Sequence, residues 1–259
     1  MPEKDLLYHV ADHVGWITLN REKYRNSISS AAVELFRESL DRAEADPEVR
    51  VVCVTGAGDK SFCSGADLGG AVASEGHGVN PAFQRYADLL KRLAGFPKPT
   101  VARVNGHCLA GGTGFMLACD IVIAKDDAKF GTPEVNVGLF PLMIGALIFR
   151  NVPRKKAMEM ALLGETLSAA QALEMGLVTR VAPPEQLDDT VAAVLAKLAA
   201  KSPIGMRIGK QAFYTVQDMA FEAALDHLSG KLAEVVATED AVEGITAFME
   251  KRPPVFKGK

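Results

Sequence analysis

The stretch TVARVNGHCLAGGTGFMLACDIVIA, residues 100–124, decides the fold class. Its ends, Thr100–Val104 and 120–124, are short and apolar and rich in β-branched residues, which is the composition of buried strands. Between them Val104-Asn105-Gly106 makes one turn and Gly111-Gly112-Thr113-Gly114 a second, followed by the apolar run Phe115-Met116-Leu117-Ala118-Cys119. With Gly111-Gly112 opening a helix, their free N–H groups and the helix dipole point at whatever binds there.

Moving outward, the alternation continues. Val14–Leu19 reads as a strand and 49–55 as a buried one. Between them Ala32, Leu35, Phe36, Leu40 and Ala43 recur at helical spacing, with Ser29-Ser30 as N-cap candidate and Pro47 as stop. Strand–helix alternation predicts an α/β protein. Residues 56–81 read as a long loop, with four glycines, Ser74, Asn80 and Pro81 in 69–81. A loop of that length is expected to be flexible and to serve as a lid. From Pro153 the pattern is almost wholly helical. There Phe221, Leu225, Leu228, Leu232 and Val236 form one apolar face, which Ile245, Phe248 and Met249 continue after Thr238, until Pro253-Pro254 end the last helix. Such a face must pack on its own core or on another subunit.

Length and composition set the bounds. The chain has 259 residues, 48% hydrophobic and 24% charged, ordinary for a globular protein. A folded surface of roughly 11,000 Å² against roughly 40,000 Å² unfolded leaves room for one large core. Lys and Arg number 29 against 32 acids, a net charge of −3, so no basic surplus is there to grip nucleic acid. The longest apolar run, 138–149, is interrupted by Pro141 and is too short for a membrane helix, and Met1-Pro2-Glu3-Lys4-Asp5 leads into no secretory h-region. Cys53, Cys63, Cys108 and Cys119 lack CxxC spacing and read as reduced core residues, giving a cytoplasmic expectation.

Several catalytic motifs fail. Gly111-Gly112-Thr113-Gly114 lacks the third glycine of a dinucleotide fingerprint, and Gly56-Ala57-Gly58-Asp59-Lys60-Ser61 has the wrong spacing for a P-loop. There is no GxSxG elbow, HExxH or EF-hand loop. His107 beside a strand end reads as a hydrogen-bonded structural histidine. What remains is a pair of glycine-rich turns, Ser61-Phe62-Cys63-Ser64-Gly65-Ala66-Asp67-Leu68 and the turn opened by Gly111. Two N–H groups converging on one oxygen would make an oxyanion hole, although sequence alone leaves each as an ordinary turn.

Several further pieces fall in one order and spacing: Leu19-Asn20-Arg21, Phe62 to Leu68, Val104-Asn105-Gly106, Ala118-Cys119-Asp120, Phe130-Gly131-Thr132-Pro133-Glu134, Gly138-Leu139, and Phe248-Met249-Glu250-Lys251-Arg252. Over essentially its whole length the chain thereby resembles the crotonase superfamily, the enoyl-CoA hydratase/isomerase family. The resemblance implies a spiral of ββα units in residues 1–200 and a C-terminal helical oligomerisation region in 201–259, forming trimers or dimers of trimers. It implies an acyl-CoA substrate, with coenzyme A as part of the substrate and no separate cofactor or metal. Ala66 and Gly111 match the residues whose N–H groups form the oxyanion hole, and Glu134 matches one catalytic glutamate. Ser64, Ala66, Asp67, Leu68 and Gly111 are expected along the thioester. Phe248 and Lys251 match positions that reach coenzyme A, often from a neighbouring subunit, with a solvated lysine as the competing reading of Lys251.

Two departures matter. The family's second glutamate falls on Gly114, which has no side chain to hold water. One carboxylate still suffices to move a proton between two carbons, so Glu134 alone favours double-bond isomerisation. Pro141-Leu142-Met143-Ile144-Gly145 places bulky side chains where many hydratases have glycines; they either reshape the acyl pocket or simply pack. Glu75 and His77 are minor candidates to replace the lost acid, and Asp67 is expected to fix its turn. A hydratase with water held by another group, a silent acyl-CoA-binding protein, and a thioesterase or decarboxylase stay open as alternatives.

Overall fold

The computed structural model describes residues 4–67 and 81–259. Leu68, Glu75, His77 and half of the expected lid, residues 68–80, lie outside the described residues.

The chain begins with β1 (Leu6–Ala11), β2 (Val14–Leu19) and α1 (Ser30–Ala45). It continues through β3 (Val51–Gly56), β4 (Ser61–Cys63), α2 (Pro81–Ala94), β5 (Thr100–Val104), β6 (His107–Leu109) and α3 (Gly111–Leu117). Next come β7 (Ile121–Lys125), β8 (Lys129–Gly131), a 3-10 turn over Pro133–Val137, α4 (Leu142–Asn151) and α5 (Arg154–Leu163). Then follow β9 (Leu167–Ser168), α6 (Ala169–Glu174), β10 (Arg180–Ala182), α7 (Leu187–Ala199), α8 (Pro203–Val216), α9 (Phe221–Val236) and α10 (Glu239–Met249).

Strands sort alternately into two sheets. The six-stranded sheet has the order β1-β2-β3-β5-β7-β10 and the four-stranded sheet β4-β6-β8-β9. Three successive turns, β3–β4–α2, β5–β6–α3 and β7–β8–α4, each give one strand to each sheet and then a helix. This is the ββα spiral. Its interior side chains alternate poorly because β3 is buried on both faces, as parallel strands covered from both sides are. One apolar cluster joins Phe36, Tyr86, Phe115 and Phe130, with the Phe36 and Phe115 rings 5.1 Å apart. A second, under α7, joins Val51, Cys53, Val101 and Ile123 to Leu187, Val191 and Leu195.

The expected elements hold with instructive shifts. Ser29 caps α1, its hydroxyl accepting from Ala32 N–H at 3.0 Å. The strand expected at 49–55 starts at Val51 because Val49 N–H is used by the Asp46 carbonyl in the turn after α1. The strand expected at 120–124 starts at Ile121, since the Asp120 carboxylate takes the Thr100 N–H at 2.7 Å and ties two strand ends together. The loop expected over 56–81 is not continuous: β4 interrupts it, and Ala66 bridges to Ile28 beyond. The region after Pro153 is not wholly helical either. β9 and β10 are too short to show a period, yet β10 completes the large sheet beside β7.

In the C-terminal region α9 buries no residue. Phe221 is 77% exposed and Leu232 63%, so the apolar face foreseen in the sequence is uncovered within one chain. The terminal tail is pinned by Asp240, whose carboxylate accepts from Ser202 Oγ and from the N–H groups of Lys257 and Gly258.

Candidate functional site

The small sheet brings three sequence-distant turns together. β4, β6 and β8 run parallel, with Cys63 opposite Cys108 and Leu109 opposite Gly131. Their carboxyl ends therefore point the same way, the usual place for ligands on parallel strands. Those ends carry Ser64-Gly65-Ala66, Ala110-Gly111 and Thr132-Pro133-Glu134.

The first two turns touch through backbone. Gly65 has φ +93°, and a methyl on it would stand 2.6 Å from Ala110 Cβ and 3.0 Å from Gly111 N. Only glycine lets the two strands' ends approach so closely. Ala110 sits at φ 49°, ψ −130°, a strained conformation for a residue with a side chain. It is held there by its own N–H, which donates to the Gly131 carbonyl at 2.9 Å. The N–H groups of Ala66 and Gly111 have no hydrogen-bond partner among the described residues. Ala66 is exposed and Gly111 half-buried.

Side chains brace this arrangement from behind. Arg21 Nη2 pairs with Asp67 Oδ2 at 2.9 Å, its Nε lies 3.3 Å from Asp5 Oδ2, and Nη1 donates to the Ser27 carbonyl and hydroxyl. Asn26 Nδ2 donates to the Ser61 carbonyl at 2.7 Å, and Asn105 Nδ2 to the Gly58 carbonyl at 2.8 Å. Leu19-Asn20-Arg21 and Val104-Asn105-Gly106 thus act as clamps on the first turn. Asp67 fixes it through Arg21, and Ser64 lies half-buried beside it.

Glu134 is the second residue of the 3-10 turn after β8, behind Pro133. Its Oε2 is buried and has no hydrogen-bond partner among the described residues. Loss of water raises its pKa above the ordinary carboxylate value, while its own backbone N–H pulls the other way. A desolvated carboxyl with one oxygen left unpaired has the properties of a proton carrier.

The sequence reading missed Tyr86. It lies on α2, is 8% exposed and packs edge-on against Phe115 at 5.5 Å. Its hydroxyl donates to the Gly111 carbonyl at 2.5 Å. Burial, with the nearby acids Cys63, Cys108 and Glu134 adding to it, raises this phenol well above its ordinary value. At Gly114 a methyl would be driven into Tyr86 Oη and would stand 2.7 Å from Ile144 Cγ2 and 3.2 Å from Leu90 Cδ2. Position 114 therefore has no space for a carboxylate while Tyr86 is in place. The helical amphipathicity of 81–94 was the signal available for α2, but nothing in it separates Tyr86 from its core neighbours.

Other expected residues fall elsewhere. Ile144 is buried against Gly114, whereas Leu142 is 75% exposed. Phe248 is 84% exposed and Lys251 is also exposed at the end of α10, a helix that packs on α8 and α9. His107 Nδ1 accepts the Lys129 N–H at 3.1 Å, a structural role. All four cysteines are free and buried, and burial pushes the Cys53 and Cys63 thiols up to about 12. Surface hollows elsewhere, one by Glu159, Gln171 and Glu174 and one by Asp240, Glu243 and Arg252, include none of the site residues. Among the described residues no helix is long and apolar enough to cross a membrane.

Comparison with known proteins gives this geometry relatives. The family model described as enoyl-CoA hydratase/isomerase matches residues 10–259. The (E)-benzylidenesuccinyl-CoA hydratase of Thauera aromatica is 34% identical, over 96% of this chain and 97% of that relative. The 2,3-dehydroadipyl-CoA hydratase of Escherichia coli is 35% identical over 94% of each. A crystal structure of an enoyl-CoA hydratase from Mycobacterium smegmatis superposes with a TM-score of 0.95 at 35% identity, covering 98% of this chain and 99% of that one.

Proposed function

The chain belongs to the enoyl-CoA hydratase/isomerase family and is an enzyme of that class, and from that premise we propose that it shifts the double bond of an enoyl-CoA thioester with Glu134 as its single acid/base. The observation that carries the reading is the buried, unpartnered Oε2 of Glu134, after the end of β8 in the same parallel sheet whose other strand ends carry the two unpaired N–H groups. The Ala66 and Gly111 N–H groups would receive the thioester oxygen. As the Glu134 carboxylate takes the proton from the carbon next to the carbonyl, the electron pair moves onto that oxygen as an enolate. Collapse of the enolate returns the same proton to the far end of the double-bond system, and mass is conserved. Hydrogen bonds that strengthen as charge develops on the oxygen are the larger source of rate, and a positioned proton carrier adds ~100-fold or more.

The assembly reading accompanies it. Residues 1–200 would form the acyl-CoA-binding core, and 201–259 would join copies into a trimer or a pair of trimers. The uncovered face of α9 supports this, and a neighbouring copy would then bring Phe248 and Lys251 to coenzyme A. A lysine suits the phosphates of that group.

Hydration is the second reading, favoured by the names of the relatives. One incubation separates them: 2-enoyl-CoA and 3-enoyl-CoA with wild type and Glu134→Gln, followed by mass spectrometry with chromatography. Conversion at constant mass, lost in Glu134→Gln, is the expected result. Gain of one water would replace isomerisation by hydration, and no change with either substrate would leave a specialised acyl-CoA enzyme or the silent acyl-CoA binder.

A further inference from the structure

We propose that Tyr86 is a positioning residue for the oxyanion site, holding Gly111 by its carbonyl so that the Gly111 N–H keeps its aim at the thioester oxygen. The inference rests on the proposed function above.

Gly111 has no side chain to hold it, and its carbonyl lies at the start of a seven-residue helix. Gly112 behind it is buried and packed against Cys63, and the strained Ala110 precedes it, so Gly111 itself is the half-buried position whose orientation its neighbours must fix. Ala110 is held by its N–H bond to Gly131 and by its carbonyl, which accepts from the Thr113 N–H, while the Tyr86 hydroxyl bond to the Gly111 carbonyl is a side-chain tie on Gly111 itself. Tyr86 comes from a different spiral turn, on α2, so it ties the second turn of the spiral to the first. The phenol is locked in turn by Phe115 and by the wall of Leu90 and Ile144 around Gly114. Gly114 is then explained without reference to a lost acid: any side chain there displaces the hydroxyl. Because burial raises the phenol well above its usual range, it stays protonated and keeps donating at neutral and mildly alkaline pH.

The consequence is a split between binding and chemistry. Tyr86→Phe keeps the ring packing and removes only the hydroxyl. Coenzyme A contacts are untouched, so acyl-CoA binding is expected within about threefold of wild type. Turnover is expected to fall about tenfold, below the 100-fold or more of losing an oxyanion donor outright, because the N–H remains but wanders. The test is kcat and KM of Tyr86→Phe with enoyl-CoA, together with infrared spectra of a bound acyl-CoA carrying a ¹³C thioester carbonyl. In the variant the downshift of the carbonyl stretch on binding should shrink. A merely structural tyrosine would leave that shift and kcat unchanged once a melting curve shows the variant folded. If wild type binds and polarises the thioester and Tyr86→Phe does so equally, with kcat within twofold, the Tyr86 role is overturned alone. If wild type binds no acyl-CoA, or binds without a carbonyl shift, the proposed function falls and the Tyr86 role with it. A change in KM only would also overturn the positioning role.

Discussion

Gly114→Ala is the perturbation whose outcome the geometry fixes most tightly. On helix propensity alone it should stabilise α3 by about 1 kcal/mol. The surroundings reverse the sign. The new methyl meets Tyr86 Oη, Ile144 Cγ2 at 2.7 Å and Leu90 Cδ2 at 3.2 Å, all in a buried wall. Overpacking of this kind costs about 1–3 kcal/mol. Displacing the Tyr86 hydroxyl from the Gly111 carbonyl leaves a buried donor unsatisfied, another ~1–3 kcal/mol. The net expectation is a loss of about 3 kcal/mol, or roughly 6–12 °C in midpoint for a chain of this size. Urea denaturation at one fixed protein concentration measures it, with Tyr86→Phe and the double variant completing a cycle. Removing the hydroxyl first takes away the nearest obstacle, so the two changes should couple favourably by about 1 kcal/mol or more, Ile144 accounting for the remainder. A Gly114→Ala variant as stable as wild type, or effects additive within about 0.5 kcal/mol, would refute the idea that the Tyr86 hydroxyl fills the space beside position 114.

Other expectations follow from the same site. Glu134→Gln should lower turnover by about 100-fold or more. It should also be stabilising at neutral pH: Glu134 has a raised folded pKa, so its contribution is fully present below the unfolded carboxylate value and is lost as pH rises through the folded one. Melting curves at pH 4 and pH 8 should show the variant gaining on wild type only at the higher pH. Arg21→Ala removes charge-assisted bonds to Asp67 and Asp5 and those to Ser27; about 2 kcal/mol of stability should go, with a fall in turnover as the Ala66 turn loosens. Normal turnover in a folded Arg21→Ala protein would count against the clamp. Leu232→Glu on the open face of α9 should shift the sedimenting mass of wild type toward ~28 kDa, whereas a wild type that already sediments as a clean monomer at micromolar concentration would contradict the assembly reading.

How far the sequence carried these conclusions differs by element. β2 and β5 were legible to the residue because each is a short apolar run bounded by turn chemistry. α1 was legible because capping and periodicity agree at Ser29 and Phe36. β4, β6 and β8 were not, being too short for any period, although they carry the whole candidate site. Glu134 was one acid among many until the order of surrounding motifs picked it out, and its desolvation belongs to tertiary packing. The glycine at 114 was read as an absence. In three dimensions it is a fit to Tyr86, a partner 28 positions earlier whose meeting with it depends on two spiral turns stacking. No pattern within a window of helical or strand length holds that information.

The alternate assignment of strands to two sheets has a consequence for what activity measures. Ala66, Gly111 and Glu134 come from three consecutive windings, and in the proposed reaction each needs the other two. A molecule wound only through β6 has α1, α2 and a partial sheet, and contributes in part to any signal from secondary structure. In the proposed reaction it contributes nothing to turnover, because β8, the strand that precedes Glu134, is the last of the trio in chain order. Catalysis in this architecture therefore counts completed spirals, while spectroscopic helix content counts unfinished ones as well.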